Sequence, residues 1–146
     1  MTDSEIDRTT TAAPPWFKIA AWAAVAWEAF GCFLYIQQMT LDRTQLPLDQ
    51  RMMWNWTPWW IVAAYAIAVW IGLIGAGGLV LRRLWAIPTL GLSLFAVIVQ
   101  FGGVFFVPRL RQSTSPGDML VPLVITIVCA AIYALAHLAH HRGWLR

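Results

Sequence analysis

Long apolar runs separated by short polar stretches dominate the pattern of this chain. Four predominantly apolar runs cover about residues 16–39, 58–81, 85–107 and 119–140. A helix rises about 1.5 Å per residue, so roughly 20 residues cross the roughly 30 Å hydrocarbon core of a bilayer. The pattern therefore predicts an all-α integral membrane protein, a four-helix bundle of transmembrane helices.

The stretch 46–57 joins the first two predicted spans and is itself patterned. Leu48, Met52 and Trp56 recur at every fourth position, which favours a short amphipathic helix lying in the membrane interface. Arg82 and Arg83 are predicted to form a very short turn between the second and third spans.

The remaining polar stretches are expected to lack regular structure. Residues 109–118 precede the fourth span as a loop, in which the sequence Ser115-Pro116-Gly117 supplies turn chemistry. Residues 1–14 carry too little apolar surface to pack and are predicted to be a disordered cytoplasmic tail. The single folded unit is then 15–146.

Composition supports a membrane protein and argues against a nucleic-acid partner. Of 146 residues, 60% are hydrophobic and 12% are charged, whereas soluble domains carry about 25% charged residues. The net charge is +3, but the basic side chains flank the apolar runs, where they set orientation. The lipid bilayer is the expected partner.

The distribution of lysine and arginine predicts the orientation of the spans. One side of the bilayer would hold Arg8, Lys18, Arg82, Arg83, Arg142 and Arg146, and the other Arg43, Arg51, Arg109 and Arg111. The richer side is expected to face the cytoplasm. Both termini are therefore predicted to be cytoplasmic.

Tryptophans are expected to mark the two interfaces, because their amphipathic rings favour the headgroup level. They include Trp54, Trp56, Trp59 and Trp60 at the outer boundary and Trp85 at the inner one. Since four of them crowd one hairpin, an aromatic platform for a ligand on the outer face is the alternative.

Glu28 is an acidic residue near the middle of the apolar first span. It lies about 18 Å from the predicted start of the helix at 1.5 Å per residue. An acidic side chain at that depth costs several kcal/mol unless it is protonated, paired or facing water. Three of its neighbours on the helix face are small, namely Ala21, Ala24 and Gly31. We therefore expect Glu28 to face the bundle, since small residues mark close helix contacts.

Matching of depth predicts a polar seam, defined as Glu28, Tyr35, Ser93 and Gln100. A hydrogen bond between Glu28 and Gln100 is the most specific expectation. Glu28 has two interpretations: a protonated group that joins helices through a hydrogen bond, or a carboxyl that titrates or coordinates a substrate.

Small residues recur along the second span at every fourth position. They are Ala64, Ala68, Gly72 and Ala76, and together with Gly31 they are predicted to be helix-packing positions. The pattern alone leaves open whether they face the inside of the bundle or a second copy.

No catalytic constellation and no cofactor motif stand out in this chain. His137 and His141 are one helical turn apart and are weak candidates for a metal or haem. A cap at the interfacial end of the last helix is the alternative. Cys32 and Cys129 fall inside spans, where packing is the expected role.

A family resemblance rests on short motifs between about Pro15 and Gly102. They are Trp27-Glu28, Gly31, Tyr35, Met39-Thr40, Pro58-x-Trp60 and Arg83-x-Trp85-Ala86-x-Pro88. The chain resembles a group of small four-span bacterial inner-membrane proteins of unknown function, some with an automatically assigned sugar-transporter name. In that group the position of Glu28 is often asparagine, and the residue before Tyr35 is often acidic, whereas here it is Leu34. In size and span number the chain is also similar to DoxX-like proteins, membrane partners of redox systems.

The resemblance implies a bacterial inner-membrane location, and two functions stay open. The favoured one is a non-enzymatic accessory or scaffold subunit that packs as a homo-oligomer or with a larger membrane complex. The alternative is a small-solute or proton-coupled transporter that works as an oligomer around Glu28. A quinone- or haem-associated subunit using His137 and His141 is a weaker third possibility.

Overall fold

The computed structural model describes residues 13–146 and is helical throughout, with no strand in that range. Its helices are α1 (Pro15–Thr40), α2 (Leu48–Trp56), α3 (Trp59–Val80), α4 (Ala86–Phe106), α5 (Pro108–Ser113) and α6 (Leu120–His141). The predicted all-α bundle is confirmed. The predicted disordered tail lies almost entirely outside the described residues.

Four helices are long and apolar enough to cross a membrane. They are α1, α3, α4 and α6, the last extended by a 3-10 turn at Pro116–Met119. The limits of the four helices differ from the predicted spans by one residue at each end, and the 3-10 turn starts the last span three residues early. The chain is therefore a multi-pass membrane protein.

The four spanning helices pack in a chain of neighbours. α3 lies at the centre of the contacts, with α1 on one side and α4 on the other, and α4 also packs against α6. α1 and α6 thus stand at the two ends of this series. The space between them becomes important for the site described below.

One end of the bundle, here called the terminal end, contains the start of α1, the turn between α3 and α4, and the end of α6. It is densely packed around Phe17 and Leu79, which are 1% and 0% exposed. The ring of Trp144 lies 5.3 Å from that of Phe17. This end of the bundle is closed by its own side chains.

Two helix termini reinforce the terminal end. α3 ends with Arg82 in the left-handed region at φ 59°, and α6 ends with Gly143 at φ 69°. In both, paired backbone bonds of the Schellman type satisfy the last carbonyls. Arg82 Nε also donates to the Trp144 carbonyl at 2.7 Å, so the two helix ends are tied together.

The opposite end, here called the loop end, contains α2 and α5, which contact each other. The Arg43 guanidinium lies 4.6 Å from the centre of the Trp54 ring, and that of Arg109 lies 5.9 Å from Trp56. These cation–π contacts join α2 to the turn that precedes it and to α5.

The structure confirms the short helix between the first two spans as α2. The prediction that residues 109–118 form a loop is wrong, because α5 occupies Pro108–Ser113. Pro108 stands at the first helical position, where a missing N–H costs nothing.

Candidate functional site: a cavity at Glu28

Glu28 lies on the buried face of α1. That face consists of Phe17, Ala21, Ala24, Glu28 and Cys32, and Glu28 itself is only 5% exposed. Small side chains on either side let neighbouring helices approach it closely. Its carboxyl is therefore held inside the bundle rather than against lipid.

The carboxyl of Glu28 rests against the backbone of α3 at Gly72. A Cβ atom at Gly72 would lie 2.8 Å from Glu28 Cδ and 2.8 Å from Ser93 Oγ, closer than real Cβ contacts allow. Only glycine leaves room for the carboxyl at this point of α3. Glu28, Gly72 and Ser93 thus meet where α1, α3 and α4 come together.

Ser93 is 2% exposed, and its hydroxyl donates to the Ala68 carbonyl at 2.7 Å. The single hydroxyl hydrogen is used in that bond, which leaves oxygen lone pairs facing the carboxyl. Cys32 similarly directs its thiol to the Val69 carbonyl at 3.3 Å. Ser93 and Cys32 are therefore not placed to donate to an anionic Glu28.

Within residues 13–146, the predicted hydrogen bond between Glu28 and Gln100 is not formed. Both side chains line the same cavity, but Gln100 lies two helical turns beyond Ser93 along α4, about 10 Å at 1.5 Å per residue. Tyr35, the other member of the predicted seam, packs edge-on against Tyr65 at 5.2 Å. Of the four predicted residues, Glu28 and Gln100 line the cavity and Tyr35 and Ser93 do not, so the four do not form a continuous bonded seam.

A cavity of about 550 Å³ lies between α1, α3, α4 and α6. Its walls are mostly apolar, and its few polar groups come from Glu28, Gln38, Tyr65 and Gln100. Sites for small molecules typically have this composition and volumes of about 300–1,000 Å³. The part of the cavity nearest the terminal end is lined by Trp27, Glu28 and Cys129. The part nearest the loop end is lined by Gln38 and Leu120.

The cavity is open at its side, between α1 and α6. Phe30 and Leu34 on α1 are 57% and 39% exposed, and Val121 and Val124 on α6 are 65% and 52% exposed. All four line the cavity. Since the exposed surface of a transmembrane bundle faces lipid, the opening leads to the bilayer.

The stripe of small residues on α3 faces inwards. Ala64, Ala68, Gly72 and Ala76 are all buried within the single chain, and Gly31 faces Val69 across the contact of α1 with α3. The choice that the sequence left open is thereby resolved in favour of internal packing.

The predicted interfacial tryptophans occupy both ends of the bundle. Trp59 is 78% exposed and Trp85 is 43% exposed. Trp60 is half-buried and stands over Gly103, while Trp54 and Trp56 meet arginines as described above. None of these five residues lines the cavity at Glu28.

The histidines lie away from the cavity, at the terminal end. The rings of His137 and His141 are 6.4 Å apart, and Tyr133 stacks edge-on against His137 at 4.7 Å. Over the part of the chain that the structure describes, no group of three or more His, Cys, Asp or Glu side chains is arranged to hold a metal.

Tyr65, Gln38 and Trp27 were missed among the predicted site residues, although all three line the cavity. A signal for Tyr65 was present, because it precedes Ala68 by three residues and Gly72 by seven, which puts it on the face of the small stripe. Gln38 lies near the end of the first span and Trp27 in its middle; neither belongs to the small stripe on the second span, so neither was placed in the predicted seam.

No family model, curated protein or solved structure matches this chain. The resemblance to small four-span inner-membrane proteins therefore stays a prediction.

Proposed function

We propose that the protein binds a small lipid-soluble molecule inside its helix bundle and serves as a small-solute transporter. The observation that carries this proposal is the cavity of about 550 Å³ with the Glu28 carboxyl at its inner end. A buried carboxyl in a transmembrane helix is costly. A role in ligand binding would explain why a carboxyl is buried here in spite of that cost.

The side opening supports entry of the molecule from the bilayer. A ligand passing between α1 and α6 would meet the exposed apolar residues Phe30, Leu34 and Val124 before it reached Glu28. The closed terminal end would block its passage in that direction. A binding site near the middle of the bundle that is closed towards one side of the membrane is what alternating access requires of one conformation.

The accessory or scaffold function has less support than the sequence suggested. It was favoured by the small size of the chain, by the lack of a catalytic set and by the small-residue faces, of which the stripe on α3 would have offered a contact surface. Since Ala64, Ala68, Gly72 and Ala76 are used inside the chain, they are not available to a partner. Assembly of the transporter as a homo-oligomer remains part of the proposal, through other faces.

We further propose that the protein resides in a bacterial inner membrane with the terminal end towards the cytoplasm. Lys18, Arg82, Arg83, Arg142 and Arg146 flank the spans at that end, and basic residues favour the cytoplasmic side. Cysteines introduced at Arg142 and at Gln112 check this: in intact cells, an impermeant thiol reagent should modify only the one at Gln112. Modification only at Arg142 would reverse the orientation.

Saturable photolabelling tests the binding function. The protein in lipid nanodiscs is exposed to a neutral alkyl diazirine, with and without an excess of a non-photoreactive analogue, and labelled residues are mapped by mass spectrometry. We expect labelling of Phe30 and Leu34 to fall when the analogue is present. Labelling of Ile19, which is 71% exposed and outside the cavity, should stay constant because bulk lipid contact does not saturate.

A pair of variants on α6 provides the control. Val124→Trp fills the cavity mouth and should abolish the saturable part of the labelling on α1. Ile127→Trp adds the same ring at a position that is 58% exposed and does not line the cavity, so labelling should be unchanged. Labelling of Leu34 that resists competition, or that survives Val124→Trp, would contradict the proposal.

A further inference from the structure

We infer that the ligand of this cavity is a cationic amphiphile whose positive group replaces a proton on Glu28. The inference rests on the proposed binding function and specifies the chemistry of the ligand. It is carried by the arrangement of the groups around the carboxyl.

No residue in the described part of the chain supplies a cation to Glu28. In the range 13–146, the basic side chains lie at the helix ends and connections, and no hydrogen bond or ion pair reaches the Glu28 carboxyl. An uncompensated carboxylate in a membrane interior is strongly disfavoured. The group is then neutralised either by a proton or by a positive charge on the ligand.

The polar atoms that each helix places around the carboxyl also favour a positive ligand. Ser93 Oγ, on α4, donates its hydrogen to Ala68, and Cys32 Sγ, on α1, donates to Val69. Their hydrogens are committed to backbone carbonyls, so neither group is free to donate to an anion beside Glu28. An anionic ligand could accept hydrogen bonds from Trp27, Tyr65 or Gln100, but no basic side chain is among the described lining residues to balance its charge, and an ionised Glu28 would repel it.

Few other titratable groups share the cavity with Glu28. Among the lining residues, α3 contributes Tyr65 and α6 contributes Cys129, whereas α4 contributes the uncharged Gln100. Cys32 on α1 and Ser93 on α4 lie near the carboxyl but do not line the cavity. Cysteine and tyrosine side chains ordinarily lose their protons only above neutral pH, and the glutamine amide does not titrate. Glu28 is therefore the group expected to exchange a proton when a cation binds.

Aromatic rings in the wall add to the attraction for a cation. Trp27, Tyr65 and Phe101 all line the cavity, and the faces of aromatic rings attract positive charge. The apolar remainder of the wall suits the hydrocarbon part of an amphiphile. The exchange balances in charge: the Glu28 O–H bond breaks, the carboxylate pairs with the ligand cation, and one proton leaves to water.

Calorimetric titration with three probes of similar shape tests the inference. The full-length protein in a neutral detergent is titrated with tetraphenylphosphonium (a cation), tetraphenylborate (an anion) and triphenylphosphine oxide (neutral). We expect the cation to bind at least tenfold more tightly than either of the others. Repetition in buffers of different ionisation enthalpy should show about one proton released per cation bound, with affinity rising by about tenfold per pH unit while Glu28 is protonated.

Three variants make the result specific. Glu28→Gln should weaken cation binding by at least tenfold and remove both the proton release and the pH dependence, while Glu28→Asp should retain them in part. Asp49→Asn removes an exposed acid on α2 and should change nothing. Unchanged cation binding by Glu28→Gln, or tetraphenylborate binding as tight as that of the cation, would overturn the inference.

The two proposals fail in different ways. If the neutral probe binds as tightly as the cation, and Val124→Trp abolishes both, the cavity binds lipid-soluble molecules but without a preference for charge. The proposed function then stands and the inference is wrong. If none of the probes binds and the photolabelling does not saturate, both are wrong.

Discussion

The terminal half and the loop half of the bundle are built from the same four spanning helices but are packed in opposite ways. At the terminal end, Leu79, Ala86, Ala136 and Ala139 are 0% exposed, and their side chains fill the space between the helices. Towards the loop end, Leu34 and Val124 face an open cavity across the space between α1 and α6. One half behaves as a close-packed core and the other as a binding site.

The difference teaches how a small membrane protein separates stability from binding. Contacts between small residues and fully buried side chains hold helices together in lipid, where apolar burial alone gives little gain. A binding cavity requires the opposite, because its walls must leave space. Glu28 lies at the border, supported by Gly72 on the packed side and exposed to the cavity on the other.

Weakening the packed half should have the largest effect on folding. Leu79→Ala removes a side chain that is fully buried and is expected to lower the free energy of unfolding by about 2–5 kcal/mol. Leu81→Ala, close to it on the chain but 67% exposed, should change it by less than about 0.5 kcal/mol. Unfolding by a denaturing detergent measures both, and equal losses would contradict the comparison.

A methyl group placed at the border should disturb both halves. Gly72→Ala puts a Cβ atom where the Glu28 carboxyl now lies, so we expect a loss of about 1–3 kcal/mol in stability from overpacking, together with weaker tetraphenylphosphonium binding. Gly77→Ala, on the same helix, meets no atom within 4 Å and should stabilise the helix by up to about 1 kcal/mol. A neutral result at Gly72 would mean that the carboxyl has room to move away.

Changes of the residue that ends α3 should show the smallest difference in stability. Arg82→Gly and Arg82→Ala both remove the bond from Arg82 Nε to Trp144, so their difference isolates the backbone at φ 59°. Because alanine resists the left-handed region, Arg82→Gly should be the more stable variant by about 1 kcal/mol. Thermal unfolding of the two variants side by side is the measurement, and equal midpoints would show that the turn tolerates another conformation.

The fold was largely predictable because apolar length is a strong signal. A run long enough to span a bilayer has few other stable conformations, since every backbone group must be bonded within the helix. α5 was missed for the opposite reason. A helix of six residues has too few turns to show an apolar period, and it depends on the contact with α2.

The position of Glu28 was predictable from its small neighbours, whereas its partner was not. The prediction paired Glu28 with Gln100 by counting residues from the start of each helix. That comparison of depths assumed that α1 and α4 begin at the same level. Instead, Glu28 lies 13 residues beyond the start of α1 but is level with Ser93, only 7 beyond the start of α4. α1 therefore extends about 9 Å further towards the terminal end at 1.5 Å per residue, an offset that only tertiary packing determines.

The side opening between α1 and α6 also changes what an affinity means for this protein. A molecule that enters from the bilayer is present at its membrane concentration, which partitioning raises far above its concentration in water. Occupancy of the cavity then follows the ratio of ligand to lipid, by mass action. Added lipid, at a fixed total amount of ligand, would empty the site without competing for a single contact in it.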